Sequence, residues 1–354
     1  MADMLSLATI QSCLRRERLV ELLERCRSLH VALVGDLGLD VYWYIDMTAA
    51  SLSRETPHFV KPIVREEYSL GAGAYVVRNL AALGVGMIQV FSVLGNDWRG
   101  DLIRQGIDQL GVDTKKLITT PDRFTTAFIR PILMGYESQQ EDARLDFKNR
   151  MPLRKEEANA LLDSLALSLP QLDAVLVADY LRVGGVVNDH TLKRLNELAE
   201  QNTHIKFIAD SRRRIHLFRS MILKPNRLEA IDVVKANSND NFSIDDMNLL
   251  SLAARELNVI TNRPAYVTLG EKGALVCDHK NVIHIGAVQQ PEPTDSTGAG
   301  DVFNAALAVM LAAGSTPIEA CAIANLAASV VVTQIGTTGV TSPQKIIMCY
   351  DSLL

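Results

Sequence analysis

Short apolar runs alternate along the chain with longer stretches of helical period, and that alternation predicts a parallel sheet covered by helices. His30–Val34, Gln89–Leu94, Ala174–Ala178, Ile205–Ala209, Met221–Leu223 and Ala265–Leu269 read as buried strands. Helical patterns fall between them at about 74–83, 101–110, 154–167, 189–200 and 244–258. Ala274–Cys277 and Val282–Ile285 read as a hairpin, followed by an Ala-rich helix from Ala299 to Ala313. Thr316-Pro317-Ile318-Glu319 combines an N-cap, a first-turn proline and a capping-box acid, and Ser342-Pro343 opens the last helix similarly.

Two segments break this rhythm, 41–70 and 124–147. Apolar and polar residues nearly alternate there, as in Thr125-Thr126-Ala127-Phe128-Ile129-Arg130, so both read as strands of a small second sheet, a lid. Residues 1–29 read as an added helical extension, amphipathic through Arg15, Arg16, Glu17, Arg18 and Glu21. Residues 30–354 form one large α/β domain. Of the 354 residues, 48% are hydrophobic and 22% charged, a balance that excludes a mainly disordered chain.

The net charge of −5 gives no electrostatic reason to expect nucleic acid or an anionic membrane as partner. Cys13, Cys26, Cys277, Cys321 and Cys349 are scattered and show no zinc-ligand spacing. No uncharged apolar run reaches the roughly 18–20 residues of a membrane span, and the charged N-terminal stretch is unlike a signal peptide. The expectation is a cytoplasmic enzyme of small-molecule metabolism.

Chemistry concentrates in Asp295-Ser296-Thr297-Gly298-Ala299-Gly300-Asp301, at the start of the Ala-rich helix. Gly298 and Gly300 let backbone approach a ligand, and the free N–H groups of a helix start suit phosphate. Asp301 would repel phosphate, so its presence suggests a general base for a hydroxyl that attacks that phosphate. The alternative is an ordinary first-turn acid stabilised by the helix dipole.

This segment resembles the C-terminal signature D-[ST]-T-G-A-G-D of the ribokinase (PfkB) family of sugar kinases. Gly71-Ala72-Gly73-Ala74-Tyr75 resembles its N-terminal G-G-x-A-N element, and Gly95-Asn96-Asp97-Trp98-Arg99-Gly100 its G-x-D-x-x-G turn. The resemblance implies a ribokinase-like three-layer α/β/α sandwich with a mostly parallel central sheet and a small β-sheet lid. It implies ATP and Mg²⁺ as cofactors, with K⁺ in addition, and Asp301 as base beside an anion hole at Gly298, Ala299, Gly300 and Asp301. It also implies Asn226 and Glu229 organising Mg²⁺ through water, and Asp295 near a monovalent cation. Thr268, Gly270 and Gly273 would lie by the nucleotide's phosphates and ribose, and Asn325 and Gly336 by its adenine.

On the acceptor side, Asp36 and Asp40 follow the first strand, where open α/β sheets bind ligands. Two carboxylates there suit several sugar hydroxyls, and the resemblance favours Asp40. Gly71 and Gly73 would let backbone close over the sugar. Within the family the nearest likeness is to the heptose-7-phosphate kinases, carried by Val34–Tyr44, Ser53-Arg54-Glu55-Thr56-Pro57, Gln139-Gln140 and Arg144–Phe147. This implies transfer from ATP to the anomeric hydroxyl of a phosphorylated heptose, by a kinase standing alone without a nucleotidyltransferase domain. The departures fall at the substrate. Tyr75 replaces the family Asn, and Arg212-Arg213-Arg214 follow Asp210-Ser211, where arginines suit a substrate phosphate.

The competing readings are weaker. Gly71-Ala72-Gly73-Ala74-Tyr75-Val76 lacks the third glycine of a dinucleotide fingerprint, and no Walker lysine motif occurs. A catalytically weak sugar- or nucleotide-binding protein of the same fold, or a kinase for a hexose or nucleoside, is the alternative. The small molecule is then a sugar or sugar phosphate, and exposed lid edges predict a homodimer through the lid.

Overall fold

The computed structural model describes residues 6–235, 243–335 and 339–353. Its main sheet has ten strands, in the order Ser6–Ala8, Asn281–Ile285, Ala274–Asp278, Ala265–Thr268, Ile222–Leu223, Lys206–Ser211, Ala174–Asp179, His30–Gly35, Met87–Gly95 and Leu117–Thr120. Pairing is parallel except where Ala274–Asp278 meets its two neighbours. Every strand and helix foreseen in the βα portion is present, with ends displaced by a few residues.

Helices cover both faces because strand residues alternate between two cores. Val31 and Leu33 pack with the helices Gly73–Ala82, Ala299–Ala312 and Pro317–Val331 on one side. Ala32 and Val34 pack with Lys155–Ser168, Asp189–Gln201 and Met247–Thr261 on the other. The result is the expected three-layer sandwich. Asn281–Ile285 and Ala274–Asp278 form the foreseen hairpin, turning through His279 and Lys280 at φ 46° and 66°.

The second sheet lies where alternation replaced the helical period. Leu37–Asp46 pairs antiparallel with Ile63–Ala72 and parallel with Ala127–Met134. Gln139–Glu141 and Leu145–Phe147 complete it, both against Ala127–Met134. Leu37–Asp46 leaves the main sheet directly from His30–Gly35. At that junction Gly35 has φ 137°, and a Cβ would meet the Ala178 carbonyl oxygen at 2.1 Å.

The first residues are more than a helix. Arg16–Arg25 buries Leu19, Leu22 and Leu23, and Ser6–Ala8 adds a strand beside Asn281–Ile285. A three-residue segment is too short for period to distinguish, so sequence pattern alone did not show this strand. Among the described residues no helix is long and apolar enough to cross a membrane.

Candidate active site

The carboxyl ends of the parallel strands deliver the polar residues to one place. A cleft of about 870 Å³ lies between the sheet and the lid, lined by Asp40, Arg130, Arg144, Asp146, Lys148, Arg150, Tyr180, Arg182, Arg212, Gly298 and Asp301 among others. Asp40 and Asp301, 261 positions apart in the chain, therefore share one cleft.

Asp301 sits in the first turn of Ala299–Ala312 and accepts a hydrogen bond from the Tyr180 hydroxyl at 2.9 Å. Burial, then the charge of Asp210, push its carboxyl up to about 6, opposed by Tyr180, Lys224 and Arg212. Lys224 and Asp210 form a buried ion pair at 3.0 Å. Breaking such a pair would leave one charge buried alone, so the two hold the strand ends Lys206–Ser211 and Ile222–Leu223 in register.

The helix start is narrower as an anion site than its sequence suggests. The Ala299 and Asp301 amides already donate to the carbonyls of Ser296 and Gly298, at 3.2 and 3.0 Å. The N–H groups of Gly298 and Gly300 have no acceptor among the described residues, and a helix start with such free donors suits an anion. Gly298 has φ +79°, and a Cβ there would lie 2.3 Å from the Tyr75 ring.

That ring corrects the acceptor-side expectation for Tyr75. The side chain is 2% exposed and its hydroxyl donates to the Gly339 carbonyl, so it braces the helix start from behind and does not line the cleft. Asp36 is likewise unavailable to a sugar. It accepts from the amides of Tyr180, Leu181 and Val186, at 3.0, 2.8 and 2.6 Å, and so shapes the loop that carries Tyr180. Burial pushes its carboxyl up to about 6.

Asp40 does face the cleft, its carboxyl raised by burial and held down again by Arg130 and Arg144. A Cβ on Gly71 would lie 2.5 Å from Asp40 Oδ2, so that glycine makes room for the carboxylate. Gly73 donates to the Asp36 carbonyl at 2.9 Å and packs against it, away from the cleft. Of the three arginines, Arg212 lines the cleft while Arg214 is held by Asp179 at 2.6 Å and by the Val187 carbonyl.

Asn226 and Glu229 bond reciprocally. Glu229 accepts from the Asn226 amide and side chain at 2.7 and 2.8 Å, and Asn226 accepts from the Glu229 amide at 3.0 Å. Burial, then the charge of Asp210, hold Glu229 above its usual range. Asn226 also pairs with Thr268 across a parallel bridge. Beyond Thr268 the chain turns through Gly270 and Gly273, at φ 64° and 91°. The Asn325 side chain is spent on structure, donating to the Ile285 carbonyl at 3.1 Å. Asp295 accepts from the Thr297 amide at 2.9 Å. Gly336 lies outside the described residues.

Sequence reading placed the stretches Asp179–Gly184, Asp210–Arg214 and Lys224–Glu229 near the site but gave Tyr180, Asp210 and Lys224 themselves no role. Their signal was present: each ends an apolar run at a strand's carboxyl edge, as Lys224 ends Met221-Ile222-Leu223. It missed Arg130, Arg144, Lys148 and Arg150 because lid residues meet the cleft only through tertiary folding.

A doubly covered α/β sheet with a lid, and a carboxylate at a glycine-rich helix start beneath it, defines a ribokinase-like protein. The chain belongs to the pfkB family of carbohydrate kinases, whose family pattern matches residues 38–345. It is 31% identical over 337 residues to the bifunctional protein HldE of Geotalea uraniireducens, covering 94% of this chain and 65% of that protein. It is 32% identical over 313 residues to HldE of Shewanella piezotolerans, covering 88% and 61%. The chain thus spans less than two thirds of the length of these relatives. Among solved structures it resembles Escherichia coli phosphofructokinase-2 in complex with potassium, with TM-score 0.69, 19% identity and coverage of 92% and 99%. Arabidopsis thaliana ribokinase complexed with ribose and ATP gives TM-score 0.66, 18% identity and coverage of 91% and 98%.

Proposed function

We propose that the protein transfers the γ-phosphate of ATP to a hydroxyl of a sugar phosphate, with heptose 7-phosphate phosphorylated at the anomeric oxygen as the first candidate. The observation that carries this reading is the shared cleft of Asp40 and Asp301. Its basic lining supports a phosphorylated acceptor: Arg130, Arg144, Lys148, Arg150, Arg182 and Arg212 outnumber Asp40, Asp146 and Asp301.

In this reading Asp40 accepts hydrogen bonds from acceptor hydroxyls and holds the reactive one near Asp301. Asp301 takes the hydroxyl proton as the oxygen attacks the γ-phosphorus. The bond from that phosphorus to the β,γ-bridging oxygen breaks, and ADP leaves. The Gly298 and Gly300 amides steady charge on the phosphoryl oxygens. The lid sheet excludes water, which would otherwise compete as acceptor.

Asn226 and Glu229 offer the oxygen donors that Mg²⁺ prefers, and their mutual bonds suit a role through bound water. When bound, Mg²⁺ would neutralise charge on the phosphates. Asp295 is the proposed neighbour of a monovalent cation. A homodimer through the lid would cover the edge strand Ile63–Ala72 and the exposed Leu52, Phe59 and Val60.

The test is Asp301→Asn. It is expected to bind ATP nearly as the parent does while losing at least a hundredfold in kcat. Near-parental turnover would reject Asp301 as the base. Because Asp301 acts when deprotonated and its carboxyl sits at about 6, activity should fall about tenfold per unit as pH drops below that value. A screen of free and phosphorylated hexoses, heptoses and nucleosides, with the new phosphate located, identifies the acceptor.

A further inference from the structure

Tyr180 stands between two carboxylates that carry like charge. Its hydroxyl lies 2.9 Å from Asp301 Oδ1 and 3.3 Å from Asp210 Oδ2, and the latter oxygen is also the partner of Lys224. A phenol has one proton to donate, so one bond at a time is a full hydrogen bond. The shorter distance assigns it to Asp301. The other oxygen of Asp301 has no donor among the described residues and belongs to a residue that lines the cleft.

We propose that Tyr180 is a positioning residue for the base: it fixes the rotation of the Asp301 carboxylate and reserves the second oxygen for the acceptor's proton. The inference rests on the reading of Asp301 as base and extends it to a residue not assigned a role in transfer. Asp36 supports it from behind, because its bonds to the Tyr180 and Leu181 amides hold the tyrosine's backbone in place. The Arg212 guanidinium lies 5.5 Å over the ring, so the ring is held on a second side.

Electrostatics agree with the geometry. The groups facing Asp301 are Tyr180, Asp210 and Arg212 at the ends of their strands, Lys224 beside them, and Tyr75 from the helix behind. Asp210 opposes ionisation of Asp301, while Tyr180, Lys224 and Arg212 favour it. Taking away the phenol removes a donor to the charged form and makes Asp301 easier to protonate.

Tyr180→Phe keeps the ring and deletes the bond. The expected result is a loss of about tenfold or more in kcat at pH 7, with KM for ATP and for the acceptor within about twofold. The acid limb of log kcat against pH should move upward by about half a unit or more. 3-Fluorotyrosine at position 180, a stronger donor of nearly the same shape, should move that limb downward, and it serves if the phenylalanine variant fails to fold. Unchanged kcat and limb in Tyr180→Phe would overturn the proposal while leaving the base intact, provided Asp301→Asn is inactive. A rise in acceptor KM alone would also overturn it, assigning Tyr180 to sugar binding. An active Asp301→Asn would overturn the reading beneath both.

Discussion

Ala72 is the residue under most visible backbone strain near the cleft. It has φ 48° and ψ −134°, a region that suits glycine, and it precedes the helix Gly73–Ala82. In the family pattern G-G-x-A-N this position is glycine. The strand Leu37–Asp46 pairs with it at Leu37, and Gly71 beside it must leave space for Asp40, so the turn cannot relax without moving the Asp40 carboxylate. Strain of this kind costs about 1–3 kcal/mol, partly offset by the greater unfolded-state freedom of glycine. Ala72→Gly is therefore expected to raise stability to urea by about 1 kcal/mol. Equal or lower stability would show that the alanine methyl contributes packing that outweighs the strain. Asp301 stood out in the sequence as a carboxylate among glycines at a helix start, and Asp40 by its place after the first strand together with the family resemblance; the structure places both in one cleft. Residue identity misled at Asp36 and Tyr75, since a polar side chain at a strand or helix end can satisfy backbone groups as readily as a ligand.

At the scale of elements, the decisive unit is Ala299–Ala312 with the loop before it. The helix was legible from its Ala-rich apolar run, and its start from Gly298-Ala299-Gly300. The engagement of two of its amides by the loop was not, because carbonyl direction depends on φ and ψ and not on residue type. Gly298 permits the left-handed turn and the approach of Tyr75 together. Gly298→Ala must strain the backbone and push the ring, displacing the two free amides. Loss of one such donor typically costs about 10²–10³ in rate, so kcat should fall by about that much while the overall fold, read by circular dichroism, persists. Retained turnover would mean that those amides do not meet the transferring group.

For the whole molecule, the first residues and the last are clasped. Arg16 pairs with Asp351 at 2.7 Å, Gln11 donates to the Leu353 carbonyl at 2.7 Å, and the buried Tyr350 hydroxyl reaches the Leu14 carbonyl at 2.7 Å. Leu19, Leu22, Leu23 and Cys26 are almost wholly buried beneath this clasp. Removing residues 1–29 would expose their partners and is expected to cost about 5 kcal/mol or more, seen as a lower melting temperature and poor soluble yield. A truncated protein of parental stability would show the segment to be an independent appendage. Composition alone could separate a globular chain from a disordered one, and the βα rhythm could name the architecture. Neither could show which distant segments cover one another, because such contacts are set by topology.

That topology also orders the assembly of the protein in time. Ser6–Ala8 needs Asn281–Ile285 beside it, and His30–Gly35 needs Ala174–Asp179. Each of these strands therefore leaves the ribosome long before that neighbour exists, with an apolar face waiting in the interval, although Met87–Gly95 covers the other edge of His30–Gly35 sooner. Domains fold as units, and incomplete ones aggregate through such faces. Ser6–Ala8 is thus among the last strands to dock, because the strand it pairs with comes far later along the chain.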